Sequence, residues 1–210
     1  MNLERLKRAE AAFLQRFPGG FDNPEIIATR VRKHKPEQMI ALAQECFAKR
    51  NFKLPELIVR NMVKMISRSS IISVFEKPRF RDFAEELAPG EKKFLCNGLK
   101  EILHGNEQTG FEMVLDLLKE AKLAKWSLMT VCQTYFHPQR DVFVKPTTVK
   151  GVIAYFELKD LEYKPTPSWT FYDAYRSTFY EMKSKVDPSL SPTNAAFSGF
   201  LWMTIRGEVI

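Results

Sequence analysis

Histidine, cysteine and glycine are scarce in this chain, and long apolar runs are missing. Its 210 residues include three histidines, three cysteines and nine glycines. His34, His104 and His137 stand far apart and share no i, i+4 spacing, so the sequence assembles no histidine metal site and no His-based catalytic pair. Cys46, Cys96 and Cys132 form no CxxC and are odd in number, which excludes a zinc ribbon, a thioredoxin-like motif and a paired disulfide framework. Set among apolar neighbours, they read as buried free thiols of a reducing compartment. The glycines spell no GxGxxG and no GxSxG. Gly19-Gly20 lacks the preceding strand and the following Lys-Ser or Lys-Thr of a phosphate loop, so it reads as a turn that Phe17 and Phe21 anchor in the core. No segment approaches the roughly 18 apolar residues of a membrane span. The N-terminal MNLERLKRAEAAFLQRF is interrupted by charge every few positions, so it has no signal-peptide core. The expectation is a cytoplasmic chain without membrane contact, metal or other cofactor.

What the chain has is apolar bulk with helical periodicity. Hydrophobic residues make up 45% of the total, enough for a domain of this length to bury a core without staples. Met39, Leu42, Ala43, Cys46 and Phe47 fall at i, i+3, i+4, i+7 and i+8. Leu95, Leu99, Ile102 and Leu103 form a second stripe ended by Gly105, and Phe111, Val114, Leu115 and Leu118 a third. Pro24, Pro36, Pro55, Pro89, Pro146 and Pro192 each precede such a stretch, where a missing N–H costs least. Asn23 and Ser191 are candidate N-caps. Helices are expected near 3–16, 24–34, 37–50, 56–66, 70–76, 80–87, 90–104, 107–122, 125–135, 147–157, 168–185 and 192–204. Strand signals are poor, and the best of them, Val152–Leu158, reads equally well as helix. The fold class is all-α, a compact multi-helix bundle or a short stack of antiparallel helix pairs. The polar, proline-containing stretch 159–168 divides the chain into a main helical body, 1–158, and a C-terminal aromatic helix pair, 169–210, packed on it.

Charge is distributed unevenly. The formal net charge is +7, but residues 1–81 hold 17 Lys and Arg against 8 Asp and Glu, and the remainder is slightly acidic. Such asymmetry points to a polyanion-facing surface. Arg30, Arg32, Lys33 and Lys35 cluster at the end of one helix, where its dipole favours cations. Arg60, Lys64 and Arg68 recur at i, i+4, i+8, opposite the apolar Ile58, Met62 and Met65 and without intervening acids. These seven residues are the candidate phosphate contacts of a nucleic-acid-binding surface with no catalytic role.

Two other readings compete. The helix beginning SWTFYDAYRSTFYEM is aromatic on more than one side. Phe171, Tyr175 and Phe179 share a core face, which leaves Trp169 and Tyr172 as candidate partner-binding residues of an interaction or scaffold domain, with Arg176 beside them. Asp141, Glu157 and Lys159 follow the Asp…Glu-x-Lys order of metal-dependent nucleases, a set that needs Glu and Lys on one strand. Glu112, Asp116 and Glu120 read as the solvated face of a helix.

Overall fold

The computed structural model describes residues 1–208, with the side chains of residues 30–33 outside the described set. Among the described residues the backbone forms eleven α-helices, three short 3₁₀ turns and no strand. In chain order the helices are α1 Leu3–Arg16, α2 Pro24–His34, α3 Pro36–Cys46, α4 Pro55–Arg68, α5 Glu76–Glu86, α6 Pro89–His104, α7 Glu107–Glu120, α8 Trp126–Phe136, α9 Pro146–Tyr155, α10 Trp169–Lys183 and α11 Asn194–Ile205. The chain is all-α, as its periodicity predicts.

Local chemistry sets most of the boundaries. Five of the six prolines are the first residues of α2, α3, α4, α6 and α9. Asn23 caps α2, its Oδ1 accepting from the Glu25 N–H at 3.0 Å. Ahead of α11 the cap is Thr193 rather than Ser191, its Oγ1 accepting from the Ala196 N–H at 3.0 Å. The helix expected over 37–50 stops at Cys46. There Asn51 Nδ2 donates to the freed carbonyls of Glu45 and Cys46, at 2.9 and 3.1 Å, and Lys49–Lys53 turns as a 3₁₀ segment. No helix forms over 70–76. The reason is a reciprocal cap. Ser73 Oγ accepts from the Phe75 N–H at 3.2 Å, Glu76 Oε2 accepts from the Ser73 N–H at 3.3 Å, and α5 starts there. Val152–Leu158 is helical as far as Tyr155. It ends with Glu157 at φ +54° and the Leu158 N–H bonded to Ile153 O at 3.0 Å, a Schellman-type stop.

α8 is the central helix, with every residue from Trp126 to Tyr135 buried. It packs against α3, α4, α6 and α7. Two of its polar side chains are satisfied within the helix, Thr130 and Thr134 bonding to carbonyls one turn back at 2.8 and 2.7 Å, while Ser127 reaches Glu76 and Tyr135 reaches Ser69. α6 and α7 are the most intimately packed pair, drawn together at Gly98 and Gly110. A second region joins α1, α10 and α11 through rings. Phe13 meets Phe17, Phe21 and Phe200 at 5.2–5.4 Å, and Phe197 meets Phe179 at 4.9 Å. Such pairs add about 0.5–1.5 kcal/mol each beyond area burial. Gly19 and Gly20, at φ +81° and +62°, turn the chain so that Phe17 and Phe21 both enter this cluster. All the buried apolar side chains form one continuous core. Among the described residues no helix is long and apolar enough to cross a membrane.

Candidate nucleic-acid interface

α4 is one-sided. Ile58, Val59, Asn61, Met62, Met65 and Ile66 are buried, whereas Arg60, Lys64 and Arg68 stand exposed on the opposite side. At 1.5 Å rise per residue the three cations are about 6 Å apart along the helix. The end of α3 is tied to this helix by Asn61 Nδ2, which donates to Cys46 O at 2.8 Å. The 3₁₀ turn carrying exposed Lys49, Arg50 and Lys53 packs against both α4 and α6. Burial pushes the Cys46 thiol above its ordinary pKa, while the nearby charges of Lys64 and Arg68 pull against that shift.

Where α4 ends, the row of cations runs into a groove of about 680 Å³ between α3 and the chain after α4. Lys35 and Arg68 line it together, with Gln38 and Ser70 as further polar groups and Met39 and Leu42 as apolar wall. Lys35 reaches this position through a left-handed backbone, φ +43°, that joins α2 to α3 ahead of Pro36. His34 Nδ1 bonds Ser70 Oγ at 2.8 Å across the same groove. Glu45 is the carboxylate on its edge. Two of the sequence candidates from separate segments, Lys35 and Arg68, are thus brought together. Arg30, Arg32 and Lys33 lie outside the described residues.

Among the described residues this surface is a run of cations that make no ion pair, a property it shares with Lys125 and Lys145 elsewhere. Among the described residues, none of the nine Lys and Arg from Lys35 to Arg79 makes an ion pair, whereas Arg5, Lys7, Arg8, Arg16, Arg81, Lys119, Arg140, Arg176 and Lys185 all do. Glu56, the acid on the first turn of α4, is taken by Lys92 of α6 at 3.1 Å.

The other candidates are placed differently. Tyr172 is fully buried, and its hydroxyl donates to Asp141 Oδ1 at 2.9 Å. As a core residue it offers no surface to a partner. Trp169 is half-buried against Phe111 and Tyr172. Arg176 is committed as well. It stacks on Trp169 and Tyr172 and pairs with Glu107 at 2.6 Å and Asp141 at 3.3 Å, so it is not free to stack on a base. The nuclease-like triplet is not assembled. Asp141 is buried among Arg140, Arg176 and Tyr172, while Glu157 sits in the turn after α9 on Arg5 and Asn2, at 3.1 and 3.2 Å. No strand places Glu157 and Lys159 on a common face. Among the described residues no group of three His, Cys, Asp or Glu is arranged to hold a metal ion.

The three histidines bridge elements. His104 and His137 each donate from Nε2 to a carbonyl, Phe47 O and Leu103 O, both at 2.9 Å. Gln38 and Ser70 carry no periodic signal in the sequence, because they reach the groove from different elements. Comparison of the chain with family models, with curated proteins and with solved structures returns no match.

Proposed function

We propose that this chain binds nucleic acid, without reacting with it, through the face built by α3, the Lys49–Lys53 turn and α4. The observation that supports this reading is the exposed, acid-free row of Arg60, Lys64 and Arg68 leading into the groove that Lys35 shares. Exposed cations without carboxylate partners gain little within the folded chain, and their mutual repulsion opposes folding. Against a phosphate backbone each becomes a contact that releases a counterion. Phosphate contacts of this kind fix position rather than sequence, so the expected binding is tight at low salt and broad in sequence. Among the described residues no Phe, Tyr or Trp lines the groove.

The test is a salt series with duplex and single-stranded DNA and RNA of equal length. The wild-type chain is expected to bind at low salt, with log K falling linearly against log salt. The triple variant Arg60→Gln, Lys64→Gln, Arg68→Gln is expected to lose up to about 2.7 from that slope on duplex DNA, about 0.9 for each phosphate contact. Absence of binding at low salt, or a slope unchanged in the triple variant, overturns the reading.

A further inference from the structure

The turn between α4 and α5 presents two apolar side chains to solvent between two local hydrogen bonds. Val74 is 71% exposed and Phe75 79%. They are the two residues inside the Ser73–Glu76 reciprocal cap, so their backbone is fixed at both ends. The Glu76 carboxylate is clamped a second time, accepting from Ser127 Oγ of α8 at 2.7 Å. An exposed apolar pair on a pinned backbone forfeits hydrophobic free energy in the isolated chain and pays little ordering entropy on contact.

Beside this hook lies a cleft of about 620 Å³, whose lining includes Val74 while Phe75 stands outside it on the next position of the turn. Ile71, Ile72, Trp126, Pro146, Tyr163 and Pro165 give it apolar walls. Lys125 and Lys145 are its exposed cations, and among the described residues neither makes an ion pair. Lys125 precedes α8 and Lys145 precedes α9, and neither helix has a side-chain cap. A lysine at the positive end of a helix dipole is unfavourable, and here two face one cleft. The cleft's own carboxylate, Glu76, is consumed by Ser127 and Ser73 and answers neither lysine.

We propose that the Val74–Phe75 hook and this cleft form a docking site for a peptide segment of a partner protein that carries a bulky apolar side chain flanked by Asp or Glu. The apolar walls and the hook take the anchor, and Lys125 and Lys145 take the flanking carboxylates. The hook of a second copy of this chain does not meet that requirement. Its own hook is flanked by Ser73, Lys77 and a Glu76 whose carboxylate is already committed. A nucleic acid would meet the lysines but leave the hook and the apolar walls uncovered.

The experiment is an unbiased peptide library displayed on phage, selected on the full-length chain and in parallel on two variants, Phe75→Ser and the double Lys125→Glu, Lys145→Glu. All three altered side chains are exposed, so neither variant is expected to melt below the wild type, and the two Lys→Glu changes at helix N-termini are expected to raise the melting temperature slightly. The expected result is enrichment of sequences with Phe, Leu or Trp between acidic residues. Synthetic copies of them should bind the wild type about tenfold or more tightly than either variant, which is 1.4 kcal/mol at each site. Failure to enrich above the Phe75→Ser background overturns the proposal, as do neutral or basic flanks in the enriched set. A wild-type dimer in sedimentation equilibrium that Phe75→Ser dissociates overturns it in favour of a second copy. A loss of DNA or RNA affinity in the Lys125→Glu, Lys145→Glu variant equal to that of the α4 triple variant assigns the cleft to the nucleic-acid surface and overturns it as well.

Discussion

Tyr172 and Asp141 satisfy each other inside the protein. The phenol donates to the carboxylate at 2.9 Å and accepts from the Val142 N–H at 3.3 Å, and both side chains are shut away from water. Arg140 and Arg176 complete the carboxylate's surroundings. The segment joining α8 to α9 is thereby pinned to α10. Tyr172→Phe keeps the ring and its packing on Phe111 but removes a donor to a buried charge and leaves a backbone N–H without its partner. Hydrogen bonds to charged groups contribute about 1.5–3 kcal/mol, so a loss of that order is expected in urea unfolding, with an unchanged m value. A variant as stable as the wild type would show that this contact holds nothing in place.

Gly110 of α7 lies against the backbone of α6. A Cβ at this position would stand 2.4 Å from Gly98 O and 2.5 Å from Ile102 N. Both atoms are backbone, so the clash cannot be relieved by a side-chain rotation. Gly110→Ala is expected to force the two helices apart and cost about 1–3 kcal/mol, although alanine is the better helix former. At Gly90, where a Cβ meets nothing, the same substitution is expected to be neutral or stabilising. Thermal melts of the two variants side by side separate packing from propensity.

Most of the helices were legible because their signals are local. A proline at the first turn and a three-four apolar spacing belong to one segment, and both predict α3, α4, α6 and α9 within a residue or two at their starts. The Ser73–Glu76 cap is an equally local signal, the Ser-x-x-Glu pattern, and reading it places the start of α5 and removes the helix expected over 70–76. What sequence could not give is the meeting of distant segments. Nothing in the one-dimensional order shows that Tyr172 is buried on Asp141, or that Arg176 is used up by Glu107. Lys35 and Arg68 carry no mark that they share a groove. The Asp141…Glu157-x-Lys159 order is a chemical pattern with no fold behind it, since Glu157 serves as the left-handed residue that ends α9.

If Lys35 and Arg68 grip the same phosphate, their effects on binding will not add. Each single change to Gln is expected to leave the salt slope nearly unchanged, because the other cation still neutralises that phosphate, and the double change to lower it by about 0.9. Arg60 and Arg68, two turns apart on α4, are instead expected to act on separate phosphates and to add. Duplex binding at four salt concentrations for the six proteins decides this. Additive behaviour in the Lys35–Arg68 pair would mean that the groove does not hold a single group.

Alkaline pH tests the interior. Burial pushes the Cys132 thiol up to about 12, raises the Tyr135 and Tyr175 hydroxyls, and raises Tyr172 further still, with the Asp141 charge adding to it. These acids are neutral when protonated, so the folded chain retains protons that the unfolded chain releases. Their contribution is complete below the unfolded values, about 8.5 for the thiol and about 10 for the phenols, and is lost as pH rises through the folded ones. Stability is therefore expected to decline from about pH 8.5 and more steeply above about pH 10, by up to about 1.4 kcal/mol per pH unit for each group that differs between the two states. Urea unfolding between pH 8 and 11 measures the slope, and tyrosinate absorbance should appear with unfolding rather than before it for the buried phenols. Cys132→Val is expected to reduce the early part of the decline, to which the raised Cys46 and Cys96 thiols also contribute, and to leave the tyrosine part intact. A stability that stays flat across this range, or tyrosinate from more than the three half-buried tyrosines, Tyr155, Tyr163 and Tyr180, while the helical signal is intact, would place the buried hydroxyls in water and contradict the packing of α8 and α10.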